Sequence, residues 1–157
     1  VRRVDADAEL IDTVRDLLER SELILAQEYL PTDFDWRVGV LDGRAIYVCR
    51  YWMAAGHWQI VRHDGTGHKT EGEADTLPEA DAPEAVIALA VKAANLIGRG
   101  LYGVDIKESG GRHYVIEVND NPSIDAGVED RAEGDAVHLA VMQTLADRIA
   151  RLKAEPT

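Results

Sequence analysis

The sequence predicts an α+β fold, an antiparallel-rich sheet flanked by helices, and three features carry that expectation. Asp42-Gly43 separates two β-patterned runs, DWRVGVL and RAIYVCRYWM, as in a hairpin whose two turn residues take positive φ. Ser109-Gly110-Gly111 separates two further runs, residues 101–108 and 112–119, and strands joined that tightly must be antiparallel. Three other segments space their apolar residues with helical period. The order helix, strands, helix, hairpin, helix suits a sheet with helices layered on one face.

Each element has its own signal. Residues 7–20 place Leu10, Val14, Leu17 and Leu18 on one helical stripe, with Asp7 at the N-cap position. Residues 23–30, LILAQEYL, read as a buried strand. The Asp42-Gly43 hairpin follows, and residues 57–63, HWQIVRH, read as a further strand of the same meander. Residues 64–81 are polar and read as a long surface loop. Asp81 and Glu84 have capping-box spacing, and Pro83 suits a first helical turn. Val86, Leu89, Ala93 and Leu96 then stripe a helix that Gly98 ends in the left-handed conformation. Val137, Val141, Leu145, Ile149 and Leu152 stripe a last helix over about residues 134–153. The expected organisation is one domain: a leading helix (1–20), a hinge and strand meander (21–63), a loop (64–82), then helix, hairpin and terminal helix (83–157).

Composition narrows the function. The chain has 157 residues, 46% hydrophobic and 29% charged, the balance of a globular domain with its own core. No apolar run is long enough to span a membrane, and no secretory signal appears. A formal net charge of -12 argues against nucleic acid, which needs clustered Lys and Arg. It leaves room for a nucleotide neutralised by metal ions and a few basic side chains. The single cysteine, Cys49, excludes an intrachain disulfide, suits a reducing cytoplasm and sits in an apolar run as a buried side chain would. The five histidines match no zinc spacing. The chain opens at Val1 and reads as a piece excised from a longer protein.

The chemistry concentrates in the second hairpin. Tyr102, Val104 and Ile106 alternate with Gly103, Asp105 and Lys107; Tyr114, Ile116 and Val118 alternate with Val115, Glu117 and Asn119. With the apolar sets on the core face, Asp105, Glu117 and Asn119 share the other face, and that parity calls for a three-residue turn. Two carboxylates and an amide oxygen are hard donors that suit Mg²⁺, which keeps positions for water and phosphate. Two ions sharing a carboxylate would serve phosphoryl chemistry, and Gly103 would leave space beside them. On pattern alone the same acids also read as a solvated sheet face, and Asn119-Asp120-Asn121 as a turn before Pro122.

The first half adds weaker signals. Gln27-Glu28-Tyr29-Leu30 ends an apolar run at Pro31, where backbone groups can meet an adenine edge; an ordinary strand end fits equally. Asp35 and Arg37 share one face of their strand. They suit ribose hydroxyls and phosphate, or form a plain surface pair.

Taken in order, QEYL, FDWRVGVLDG, GLYGVDIKE and VIEVNDNPSIDAGVED resemble the C-terminal part of ATP-grasp enzymes, most closely the RimK-like carboxylate–amine ligases. The resemblance covers about residues 20–150. It implies an adenine hinge at Gln27, Glu28, Tyr29 and Leu30, a ribose contact at Asp35 and a basic residue near the transferred phosphate at Arg37. It implies Mg²⁺ ligands at Asp105, Glu117 and Asn119, with Glu117 the bridge between two ions and Mn²⁺ an alternative metal. The implied reaction forms an acyl phosphate from ATP and a carboxylate, then an amide with an amino-acid or peptide amine; Arg50 either faces the substrate carboxylate or acyl phosphate, or projects from the sheet edge. The family's phosphate-binding lysines and Gly-rich loop have no match before residue 20, so this piece alone is expected to be inactive or nearly so. A sheet edge meant for a missing subdomain would allow pairing of two copies. A regulatory Mg-nucleotide module, a divalent-metal hydrolase and a purely structural domain are the competing readings.

Overall fold

The computed structural model describes residues 1–154 and divides into two compact units, Val1–Leu30 and the chain from Pro31 onward. The first unit holds helix α1, Asp7–Leu18, followed by irregular chain. Asp7 is not the cap: Ala6 occupies that position without a side-chain bond, and Asp7 and Glu9 instead lie in the first turn, where the helix dipole favours acids. The strand expected at 23–30 does not form. An isolated apolar run has no ladder to satisfy its backbone groups, and Leu23 and Leu25 are 83% and 84% exposed.

The second unit is built on five strands in the order β5-β2-β1-β6-β7, every pairing antiparallel. They are β1 (Phe34–Leu41), β2 (Arg44–Trp52), β5 (Ala74–Leu77), β6 (Leu101–Ser109) and β7 (Arg112–Asn119). The β1–β2 turn is the expected two-residue one, with Asp42 at φ 50° and Gly43 at φ 80°. The segment 57–63 does not extend this sheet. Only Val61–His63 (β3) is a strand, and it pairs with Lys69–Glu71 (β4) in a separate ribbon. The segment read as a loop, 64–81, therefore contributes β4 and also β5, which covers the edge of β2.

One face of the sheet packs on helix α2, Glu84–Ile97. Trp36, Val38, Val48, Val104 and Ile106 meet Val86, Ala90 and Ala94 there, and Leu89 and Ala93 of the stripe read from the sequence pack, partly buried, against the same core. Ala90 and Ala94 let the helix approach the sheet closely, and Leu96 turns outward, 82% exposed. Asp81 does not close a capping box; it ends a short 3-10 turn, Glu79–Asp81, and Pro83 takes the cap position. Gly98 is extended (φ 160°), not left-handed.

The opposite face is not bare, as helices on one side only would leave it. Tyr47 and Cys49 pack there against Ile124 and Val137, the latter in helix α3, Asp135–Ala154. Val137 is the one buried residue of α3; Leu145, Ile149 and Leu152 of its expected stripe are exposed. No helix among the described residues is long and apolar enough to cross a membrane.

Candidate functional site

The face opposite α2 carries the acidic hairpin. Its turn has two residues, Gly110 and Gly111, both at positive φ (58° and 71°), not three. A two-residue turn in regular register would put Asp105 opposite Ile116 and send Glu117 to the other face. The ladder avoids this with a β-bulge. Ile106 pairs with Val115 and Asp105 with Glu117, which leaves Ile116 as the extra residue. Gly103 pairs with Asn119, so Asp105, Glu117 and Asn119 do share one face. Gly103 does not hold open space: a Cβ there would lie 2.8 Å from Pro122 Cβ, so the missing side chain makes room for the proline of the loop.

Strand β1 brings its own polar residues to the same face. Arg37 is the ladder partner of Asp105 and binds it in fork geometry, Nε to Oδ1 at 2.7 Å and Nη2 to Oδ2 at 2.8 Å. This hydrogen-bonded carboxylate raises the Arg37 pKa further, against the opposing effect of burial. Asp35, two residues back, accepts from Lys107 Nζ at 2.6 Å and from the Thr32 hydroxyl at 2.9 Å. Lys107 and Asp35 are nearly enclosed, their side chains 14% and 16% exposed. Two cations and three carboxylates thus line adjacent positions of three strands. Among the described residues Glu117 alone of the five makes no hydrogen bond or ion pair.

The donor set suits a hard divalent cation. Asp105 and Glu117 are cross-strand neighbours. Each Asp105 oxygen retains a lone pair beside its bond to Arg37, and Glu117 is uncommitted. Asn119 Oδ1 accepts from the Asn121 backbone N–H at 2.9 Å, the turn reading of that residue, and also keeps a lone pair. Among the described residues no cluster of three or more His, Cys, Asp or Glu forms a protein-only cage. A cation here would take its remaining ligands from water and phosphate, as Mg²⁺ does.

Of the remaining candidates on this sheet, Arg50 lies elsewhere. Arg50 pairs with Trp36 in the ladder and sits on the α2 face. It binds Asp75 at 2.5 Å among the rings of Phe34, Trp36 and Trp52. The structure does not bring it to Arg37. Gln27, Glu28, Tyr29 and Leu30 belong to the first unit, in irregular chain, with the Arg3 guanidinium 4.3 Å from the Tyr29 ring centre.

Three residues of the face carried no role in the sequence reading. Lys107 had a signal, since it alternates in step with Asp105. Tyr51 becomes visible only through register, as the partner of Asp35. Glu129 had none: it lies in an irregular loop yet is completely buried, accepting from the Tyr51 hydroxyl and, at 2.8 Å, from the Asp125 backbone N–H. Burial first, then the bond to Glu129, pushes the Tyr51 phenol well above its usual range and keeps it a donor. Cys49 is buried beside Thr76, as expected, and burial pushes its thiol up to about 11.

No protein-family model matches the sequence, and no curated protein does. Solved structures do match. D-alanine–D-alanine ligase from Bacillus anthracis complexed with ATP superimposes with a TM-score of 0.61 at 18% identity, over 94% of this chain and 50% of that one. The same ligase in another crystal structure gives a TM-score of 0.55 at 17% identity, over 95% and 49% of the two chains. The ATP-grasp ligase PsnB with its minimal precursor gives a TM-score of 0.48 at 24% identity, over 75% of this chain and 37% of PsnB. The chain thus spans between about a third and a half of the ligases it resembles. The fold, an antiparallel sheet flanked by helices, is shared with these D-alanine–D-alanine ligase structures.

Proposed function

We propose that this chain forms the metal-bearing wall and adenine hinge of an ATP-dependent carboxylate–amine ligase of RimK-like type, with the rest of the nucleotide clamp outside these 157 residues. The observation that carries the reading is the bulged hairpin, which turns Asp105, Glu117 and Asn119 to the face that also holds Arg37, Asp35 and Lys107. A bulge placed where it restores this parity is a device for aiming side chains.

In this reading Asp105, Glu117 and Asn119 would hold Mg²⁺, or Mn²⁺, and the metal would supply neutralisation of phosphate charge. Backbone groups of Gln27–Leu30 hold adenine, and Asp35 accepts from ribose. Arg37 has five N–H donors and spends two on Asp105, which leaves three for the transferred phosphate. Lys107 fixes the Asp35 carboxylate. Arg50, on the other face, has no part in the chemistry. A substrate carboxylate attacks the γ-phosphorus of ATP and ADP leaves. An amine then attacks the acyl carbon and phosphate leaves, giving an amide. No protein nucleophile is required; the chain positions groups and balances charge. An amino acid or peptide is the class of amine substrate, and the setting is cytoplasmic.

The test is ADP release by the full-length protein in the presence of carboxylate and amine substrates, compared with Glu117→Gln. The reading expects turnover in the parent and near-complete loss in a variant that melts normally. Undiminished turnover in Glu117→Gln removes the metal assignment, and nucleotide binding without turnover in the parent makes the chain a regulatory module.

A further inference from the structure

Glu129 is unlike every other carboxylate described here. It is completely buried, and among the described residues no Lys, Arg or His lies within ion-pair distance of it. Burying an ionised carboxylate is costly, and a loop needing only an anchor would hold as well through neutral groups. The same loop already has two such anchors. Thr76 Oγ1 donates to Val128 O at 2.5 Å, and Tyr47 donates to Ser123 O at 3.5 Å. The Glu129 carboxylate therefore calls for a purpose besides loop attachment.

Its principal partner supplies one. The Tyr51 hydroxyl donates to Glu129 Oε1, while the Tyr51 ring lies 5.1 Å from the guanidinium carbon of Arg37. Both charges act on the Tyr51 phenol, Glu129 raising its pKa and Arg37 lowering it. Arg37 is thus held twice, by the Asp105 fork and by an aromatic face whose own orientation is set from the loop. A hydrogen bond from the phenol to a carboxylate enriches the ring and strengthens its attraction for a cation, which a neutral acceptor would do less well.

We propose that Tyr51 and Glu129 are positioning residues for Arg37, linking the seating of the loop after β7 to the orientation of the guanidinium that meets the transferred phosphate. The functional half of this statement rests on the ligase reading; the linkage does not. Neither residue touches the reacting atoms. When the loop is seated, Glu129 fixes the Tyr51 ring and the ring fixes Arg37 with its three spare donors unspent. When the bond is cut, the ring loses its fixed orientation and the Asp105 fork is the one contact that still fixes Arg37.

The test reads Arg37 directly by solvent exchange of its Nε–H in nitrogen–proton NMR spectra of the protein, assigned with Arg37→Lys. Tyr51→Phe keeps the ring and removes the hydroxyl; Glu129→Gln keeps the shape and removes the charge. Thr76→Val, which cuts a different loop anchor, is the control. Exchange is expected to quicken about tenfold in Tyr51→Phe and Glu129→Gln, the fold-change equivalent to one net hydrogen bond, and to stay within about twofold in Thr76→Val. Because Tyr51→Phe is conservative, it serves even where Glu129→Gln fails to fold. Unchanged exchange in Tyr51→Phe overturns the proposal, and so does an equal rise in Thr76→Val, which would make the effect one of loop seating in general. The spectra decide the linkage whether or not the protein turns over ATP. Where it does, Tyr51→Phe is expected to lower kcat and leave KM for ATP unchanged.

Discussion

The Arg37–Asp105 fork ties β1 to β6 at the centre of the candidate site, and a double-mutant cycle on it has a worked expectation. The two side chains are 22% and 19% exposed and meet through two parallel hydrogen bonds. Exposed pairs contribute about 0.2–1 kcal/mol, whereas removing one partner of a fully buried pair costs about 3–5 kcal/mol. Four-fifths burial places each single variant, Arg37→Ala or Asp105→Ala, at about 2 kcal/mol, chiefly from the ion left unpaired. At this chain length that lowers Tm by roughly 4–8 °C. The double variant leaves no orphan charge, so it should be less destabilised than the two singles added together, with a coupling of about 1–2 kcal/mol. Urea unfolding with an unchanged denaturant slope is the assay. Additivity within about 0.5 kcal/mol would mean instead that the fork is screened like a surface pair.

Three further outcomes are expected. Gly103→Ala drives a Cβ to 2.8 Å from Pro122 and should cost about 1–3 kcal/mol, with the proton resonances of the loop from Asp120 shifted; a neutral effect would show that the proline is not seated there. Burial raises the Cys49 thiol from 9.0 to about 11, so the folded state holds its proton longer than the unfolded chain. Stability from this group is intact below pH 9 and falls as pH rises towards 11, by on the order of 2 kcal/mol, and Cys49→Ala should flatten that alkaline limb in urea midpoints measured on either side of it. Arg37→Ala should slow phosphoryl transfer by about a hundredfold or more, while Arg50→Ala, on the opposite face, should alter stability but leave the transfer rate within about threefold; the reverse order would transfer the catalytic role to Arg50.

Alternation made the central sheet legible. Trp36 and Val38 on β1, and Val104 and Ile106 on β6, alternate onto the buried face, and the Asp-Gly and Gly-Gly pairs mark turns by their need for positive φ. The shared face of Asp105, Glu117 and Asn119 followed from parity, but its cause did not. A bulge at Ile116 has no local signature, since nothing about an isoleucine between Val115 and Glu117 marks it as the unpaired one. The short strands β3, β4 and β5 were hidden because three or four polar residues carry no period, and only an available sheet edge makes them strands. The apolar run at 23–30 erred the other way: its pattern was a strand's, and no partner strand exists for it among the described residues. Within the site, residues on strands were readable and Glu129 was not, because its burial comes from a loop folding back over Tyr47 and Tyr51.

We expect the face bearing Asp105 and Glu117 to receive a metal–nucleotide complex. Calorimetric titration of this chain with ADP, with and without Mg²⁺, beside a Glu117→Ala variant tests it most directly. Binding is expected to require Mg²⁺ and to disappear in Glu117→Ala. Binding that is indifferent to both the metal and Glu117 would contradict it and put the nucleotide somewhere else on the protein.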